Sequence, residues 1–178
     1  MVNSQRDSEV FNIYIGWDAR EPIAFDVLEY SIRRRTSANI NIIPLKHRQL
    51  RKEKRYDVPS EKTFKRPWGI SSEEGFTYDL IDGKPFSTEF AFTRFLVPYL
   101  NNFEGWAIFM DSDMLCQADI QELIDLRDDR YAVMVRQHKH EPSSKTKMDD
   151  QPQSRISVRD LHPWWEIRIT FLLWNSTC

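Results

Sequence analysis

The sequence predicts an α/β domain built on a mainly parallel sheet flanked by helices. Two observations carry that expectation. The first is a strand, helix, strand succession between Phe11 and Leu45, the pattern of a βαβ unit. The second is the unbroken apolar run Ala107-Ile108-Phe109-Met110, which leads straight into Asp111-Ser112-Asp113. A short apolar run with Gly105 before it suits a strand buried on both faces of a sheet.

The elements follow in order. Phe11 to Gly16 (Phe-Asn-Ile-Tyr-Ile-Gly) is β-branched and aromatic and ends on a glycine, as a first strand should. Pro22 suits the first turn of a helix, and Ile23, Phe25, Val27, Leu28 and Ile32 support that helix to about Arg35. Asn39 to Leu45 reads as a second strand, restricted at its end by Pro44. Lys46 to Asp82 is rich in charge, Gly and Pro and reads as loop, with one short helix over Arg48 to Lys52.

Order resumes at Ser87 and Thr88, both suitable helix N-caps. Phe90, Phe92, Phe95, Leu96, Tyr99 and Leu100 give the apolar face of a helix that Pro98 should kink or shorten. After the strand into the aspartates come a short helix over Asp119 to Leu126 and a strand over Tyr131 to Val135. His138 to Arg159 is polar and proline-bearing, a second loop. Ile167 to Trp174 is apolar enough for a last strand.

Composition bounds the function. The 178 residues make one domain over 1–178, or the N-terminal part of a larger one, with a polar, flexible N-terminus over 1–10. A hydrophobic content of 40% is sufficient for a core and argues against wholesale disorder. A net charge of −2 provides no basic field, so nucleic acid is not the expected partner. Cys116 and Cys178 form no disulfide or metal framework, the N-terminus has no signal-peptide core, and no run approaches the about 18 apolar residues of a membrane span. The expected location is cytoplasmic.

Asp111 and Asp113 would surface at the carboxyl end of their strand, where open α/β sheets bind ligands. Hard oxygen donors two residues apart can hold Mg²⁺ or Mn²⁺ together with a ligand's phosphates. The same pattern also describes a polar strand end followed by a turn. An apolar strand running into Asp-x-Asp is also seen in phosphatases and phosphotransferases with an aspartate nucleophile. Here, however, the pair stands late in the chain, and no downstream lysine has a recognisable supporting motif.

Three blocks resemble family 8-like glycosyltransferases of the GT-A fold: Ile13 to Glu21 (Ile-Tyr-Ile-Gly-Trp-Asp-Ala-Arg-Glu), Ser87 to Pro98, and Asp111-Ser112-Asp113. Lys147 to Gln153 and Phe171 to Asn175 resemble later blocks of a bacterial and phage branch. The resemblance implies a Rossmann-like sheet binding a nucleotide-diphospho-sugar, with a UDP-sugar as donor and a glycan or other hydroxyl compound as acceptor. It implies that Asp111 and Asp113 hold Mn²⁺ or Mg²⁺ between the donor's phosphates, with Ser112 among the donor-binding residues. It matches Arg94 to the arginine on the helix before the Asp-x-Asp strand, where a guanidinium pairs with an aspartate or a phosphate. Without the resemblance, Arg94 reads as an ordinary helix-surface charge.

Gly16, Trp17 and Asp18 match the strand end that cradles base and ribose. Their ordinary alternatives are a turn glycine, a core tryptophan and a helix-capping aspartate. Asp149 and Gln151 match the block that meets the sugar or acceptor, or else lie in a solvated loop.

The chain departs from the family at two points. The family's further metal-ligating histidine lies beyond the last residue here, and His138, His140 and His162 do not stand in its motif. A small polar segment before the last strand is replaced by Trp164-Trp165-Glu166-Ile167-Arg168-Ile169-Thr170. A chain truncated in this way would retain donor binding without a complete active site. It would also expose an apolar C-terminal sheet edge prone to self-association.

Overall fold

Phe11–Gly16 forms strand β1, Pro22–Arg33 helix α1 and Ile40–Leu45 strand β2. The computed structural model describes residues 10–53, 88–91 and 93–135, together with the backbone of 171–175. Expectations for the first nine residues, most of the Lys46 to Asp82 loop, the 138–159 loop, Asp149 and Gln151 lie outside those residues.

α1 begins where expected because Pro22 occupies its first turn, where a missing N–H costs nothing. Its N-cap is Glu21, without a side-chain cap bond, so Asp18 is not the capping residue. His47–Lys52 forms the short helix α2. The long helix read from Ser87 onward is corrected by the structure. Thr88 to Ala91 form turns, Thr93–Leu96 is a 3-10 turn, and α3 spans Val97–Leu100 alone. Pro98 falls in the first turn of α3, so the helix starts beside the proline instead of running through it. Phe95 and Tyr99, read as part of an apolar inner face, are 59% and 46% exposed.

Trp106–Met110 forms β3, and all five residues are buried, as a strand covered on both faces requires. Ile120–Ile124 forms α4, capped by Asp119, whose side chain accepts the Gln121 N–H. Val133–Val135 and Phe171–Asn175 form β4 and β5.

The sheet order is β2-β1-β3-β5-β4. β1 pairs in parallel with β2 and β3, and β5 runs antiparallel to both β3 and β4. Thus β1 to β4 all point one way and β5 is reversed. Among the described residues β5 is interior and the edge strands are β2 and β4, so the expected open edge does not fall at Phe171–Asn175.

Strand side chains alternate between two cores. Phe11, Ile13, Ile15, Ile42, Trp106, Ile108 and Met110 face α1 and α4, against Phe25, Leu28, Ile32, Ile120 and Ile124. Tyr14, Leu45, Ala107 and Phe109 face the opposite way, against Leu50 of α2, Phe90, and Val97 and Leu100 of α3. The result is an α/β layered domain with helices on both faces of the sheet.

Candidate ligand site at the strand ends

Parallel pairing brings the carboxyl ends of three strands to one edge of the sheet. Gly16 is level with Leu45, and Ile15 with Met110. The segments leaving these strands begin with Trp17, Lys46 and Asp111.

Gly16 is fixed by a packing constraint invisible in local sequence. A Cβ at this position would lie 2.5 Å from the Phe90 ring, well inside van der Waals contact. The close approach that requires glycine is therefore made by an aromatic ring of the 88–91 turn. That ring also packs on Phe109 of β3, with centroids 6.3 Å apart. Trp17 is half-buried against the α1 core, and the Lys46 ammonium lies 5.1 Å from its ring centre.

Asp18 is 5% exposed and fully engaged in local structure. Oδ1 accepts the Arg20 backbone N–H and Nε–H, each at 2.9 Å, and Oδ2 accepts the Glu89 N–H at 3.1 Å. Burial by itself would raise its pKa. The Arg20 guanidinium and the two backbone N–H donors outweigh burial and hold the carboxyl below the usual aspartate range. In return, Glu89 Oε2 accepts the Ala19 N–H at 3.3 Å. The turn after β1 and the 88–91 turn are thus joined by two reciprocal hydrogen bonds.

Arg94 sits on the 3-10 turn before α3. Its guanidinium carbon lies 5.6 Å from the Phe90 ring centre and 5.1 Å from that of Phe109. From there Nη2 reaches Asp111 Oδ1 at 3.3 Å, with both side chains about four-fifths covered. The contact is an ion pair and lacks hydrogen-bond alignment. Arg94 is therefore not an ordinary surface charge: two aromatic rings carry it to the end of β3. Ser112 is buried and Asp113 is exposed.

These residues divide into two linked groups. Gly16, Trp17 and Asp18 stand at the end of β1, and Arg94 and Asp111 meet at the end of β3. Phe90 joins them, with its ring against Gly16 and beneath Arg94. Among the described residues no group of three or more His, Cys, Asp or Glu side chains gathers as a metal site. The hard donors at the end of β3 are two carboxylates, Asp111 and Asp113. That chemistry suits a hard divalent ion whose remaining ligands come from phosphate and water.

Sequence reasoning overlooked Glu89 and Phe90 as site-forming residues. Their signal was position: both stand in the same block as Arg94, four and five residues before it. What they touch lies some seventy residues earlier in the chain, a pairing local spacing does not encode.

One curated relative, Protein CDI of Arabidopsis thaliana, is 38% identical over 152 residues, covering 85% of this chain and 50% of the relative. The chain thus spans about half the length of that relative. A stretch this long necessarily includes the middle of the chain, where Arg94 and Asp111 lie. No protein-family model matches the sequence. No solved structure matches it either.

Proposed function

We propose that this chain is the donor-binding part of a metal-dependent glycosyltransferase of the GT-A type, taking a nucleotide-diphospho-sugar and passing its sugar to a hydroxyl acceptor. The observation that carries the reading is the Arg94–Asp111 pair at the end of β3, beside the end of β1. A guanidinium and two carboxylates at the carboxyl ends of parallel strands form a setting for phosphates and a cation.

The chemistry gives each group a role. In sugar transfer the bond from the anomeric carbon to the diphosphate oxygen breaks, and a bond to the acceptor oxygen forms. The acceptor hydroxyl loses its proton, and negative charge collects on the departing nucleoside diphosphate. A divalent ion held by Asp111 and Asp113 would supply Lewis-acid stabilisation of that charge. The Arg94 guanidinium is placed to pair with a phosphate oxygen beside the aspartate it already meets. Trp17 offers a stacking face for the base.

Thermal unfolding with UDP and Mn²⁺ together tests the reading. Saturating ligand at about 100 times its Kd stabilises the folded state by about 2.7 kcal/mol. The wild-type melting temperature should rise accordingly, and Asp111→Asn with Asp113→Asn should remove the rise. A shift of equal size in the double variant would place binding elsewhere and sink the assignment.

A further inference from the structure

The reciprocal hydrogen bonds between the two turns contain an anomaly. Glu89 is 2% exposed, and its Oε2 accepts the Ala19 N–H, yet Oε1 is buried with no hydrogen-bond partner. An ionised carboxylate in that position would place charge on an oxygen that neither water nor a donor solvates.

The surrounding charges do not resolve this. Asp18 lies across the two hydrogen bonds and is itself held ionised, so it opposes a second negative charge. Arg20 of the same turn is bound to Asp18 through its Nε–H. Burial, with Asp18 beside it, raises the Glu89 pKa above the usual glutamate value of 4.5, outweighing the Ala19 N–H, Arg48 of α2 and Arg20, which all favour ionisation.

We propose that Glu89 is a proton-gated latch, whose neutral carboxyl clasps the turn after β1 to the 88–91 turn and whose ionisation loosens the two. Latch closure fixes Phe90 under Arg94 and against Gly16, so the gate acts on the alignment of the two strand-end groups. Glu89 is a positioning residue in this role. The inference stands on the ligand-free chain and does not depend on the sugar-donor reading.

The sign follows from linkage. A carboxyl whose folded pKa is raised contributes stability below its unfolded value, and that contribution is lost as pH rises through the folded value. Glu89→Gln preserves the Ala19 acceptor and removes the ionisation. Melting temperatures of the ligand-free wild type and E89Q should therefore agree near pH 4.5. As pH increases to about 8, the wild type should fall progressively below the variant. E89A, which leaves the Ala19 N–H without its acceptor, should melt below E89Q throughout. Parallel wild-type and E89Q curves would overturn the proposal.

A second measurement on the wild type alone guards against a variant that does not fold. In a ¹³C-glutamate and ¹⁵N-labelled sample, one carboxyl should titrate above the others. The Ala19 and Glu89 amide resonances should move with that same midpoint. Glutamates that titrate together, or amides indifferent to the high titration, would reject the latch.

Discussion

The two faces of the sheet are built on different terms. The face under α1 and α4 is an apolar core, and the buried polar residue of α1, Ser31, is fully used. Its hydroxyl donates to the Leu28 carbonyl at 2.8 Å and accepts the Cys116 N–H at 2.9 Å. The face under α2, α3 and the 88–91 turn carries His47, Glu89, Thr93 and Asn101, all buried. Thr93 Oγ1 and Glu89 Oε1 lie there without hydrogen-bond partners. Buried polar atoms left unsatisfied oppose folding, so they offset part of what the apolar packing of the second face contributes. The strand-end groups, from Glu89 through Arg94, are built from the second face. Strain of this kind concentrates where a structure serves something besides its own stability.

The strongest way to challenge that contrast is to damage the apolar face. Leu28 is fully buried between α1 and the sheet, and Leu28→Ala should destabilise the domain by about 2–5 kcal/mol in denaturant titration. A loss under about 1 kcal/mol would mean that this face is not the main source of stability.

Acid should then single out the polar face. Burial, with Arg51 and Arg48 nearby, pushes the His47 pKa down from 6.5 to about 4. A histidine lowered on folding contributes stability that is complete above its unfolded value and lost as pH falls toward the folded one. Between pH 6.5 and 4 the loss approaches about 3 kcal/mol. His47→Leu should flatten this limb of the stability curve. An unchanged acid limb would show that other groups govern it. Glu89 acts at the opposite end of the scale, so this face is weakened by protons gained at one residue and lost at another.

The smallest effect is steric and lies where the faces meet. Gly16→Ala should cost about 1–3 kcal/mol, because its Cβ collides with the Phe90 ring. Combining it with Phe90→Leu should give less than the sum of the two losses. Strict additivity in calorimetric melting would mean that the ring is not what demands the glycine.

The apolar face was also the more legible one. β1, α1, β2 and β3 could be read because their side chains follow the simple periods of strand and helix, and β3 is apolar along its entire length. The strand-end residues were legible as types: a carboxylate pair after a buried strand, and an arginine on the preceding turn. Their arrangement was not legible. The Asp18–Glu89 hydrogen bonds, the Gly16–Phe90 contact and the cation–aromatic support of Arg94 join residues remote in sequence. The short α3 was missed because apolar spacing over Phe90 to Leu100 imitates a long helix. The interior position of β5 was missed because order along the chain does not specify order in a sheet.

That last point has a consequence for how the molecule is made. Among the described residues β4 has one strand partner, β5, which separates it from β3. On a ribosome adding roughly 5–20 residues per second, β4 emerges seconds before the strand that will hold it. During that interval β1, β2 and β3 can assemble as a parallel core, while β4 has no place in the sheet. Among the described residues β5 is therefore added by insertion, entering between two earlier strands. An interruption of synthesis before Phe171 leaves β3 with a bare edge beside the two aspartates.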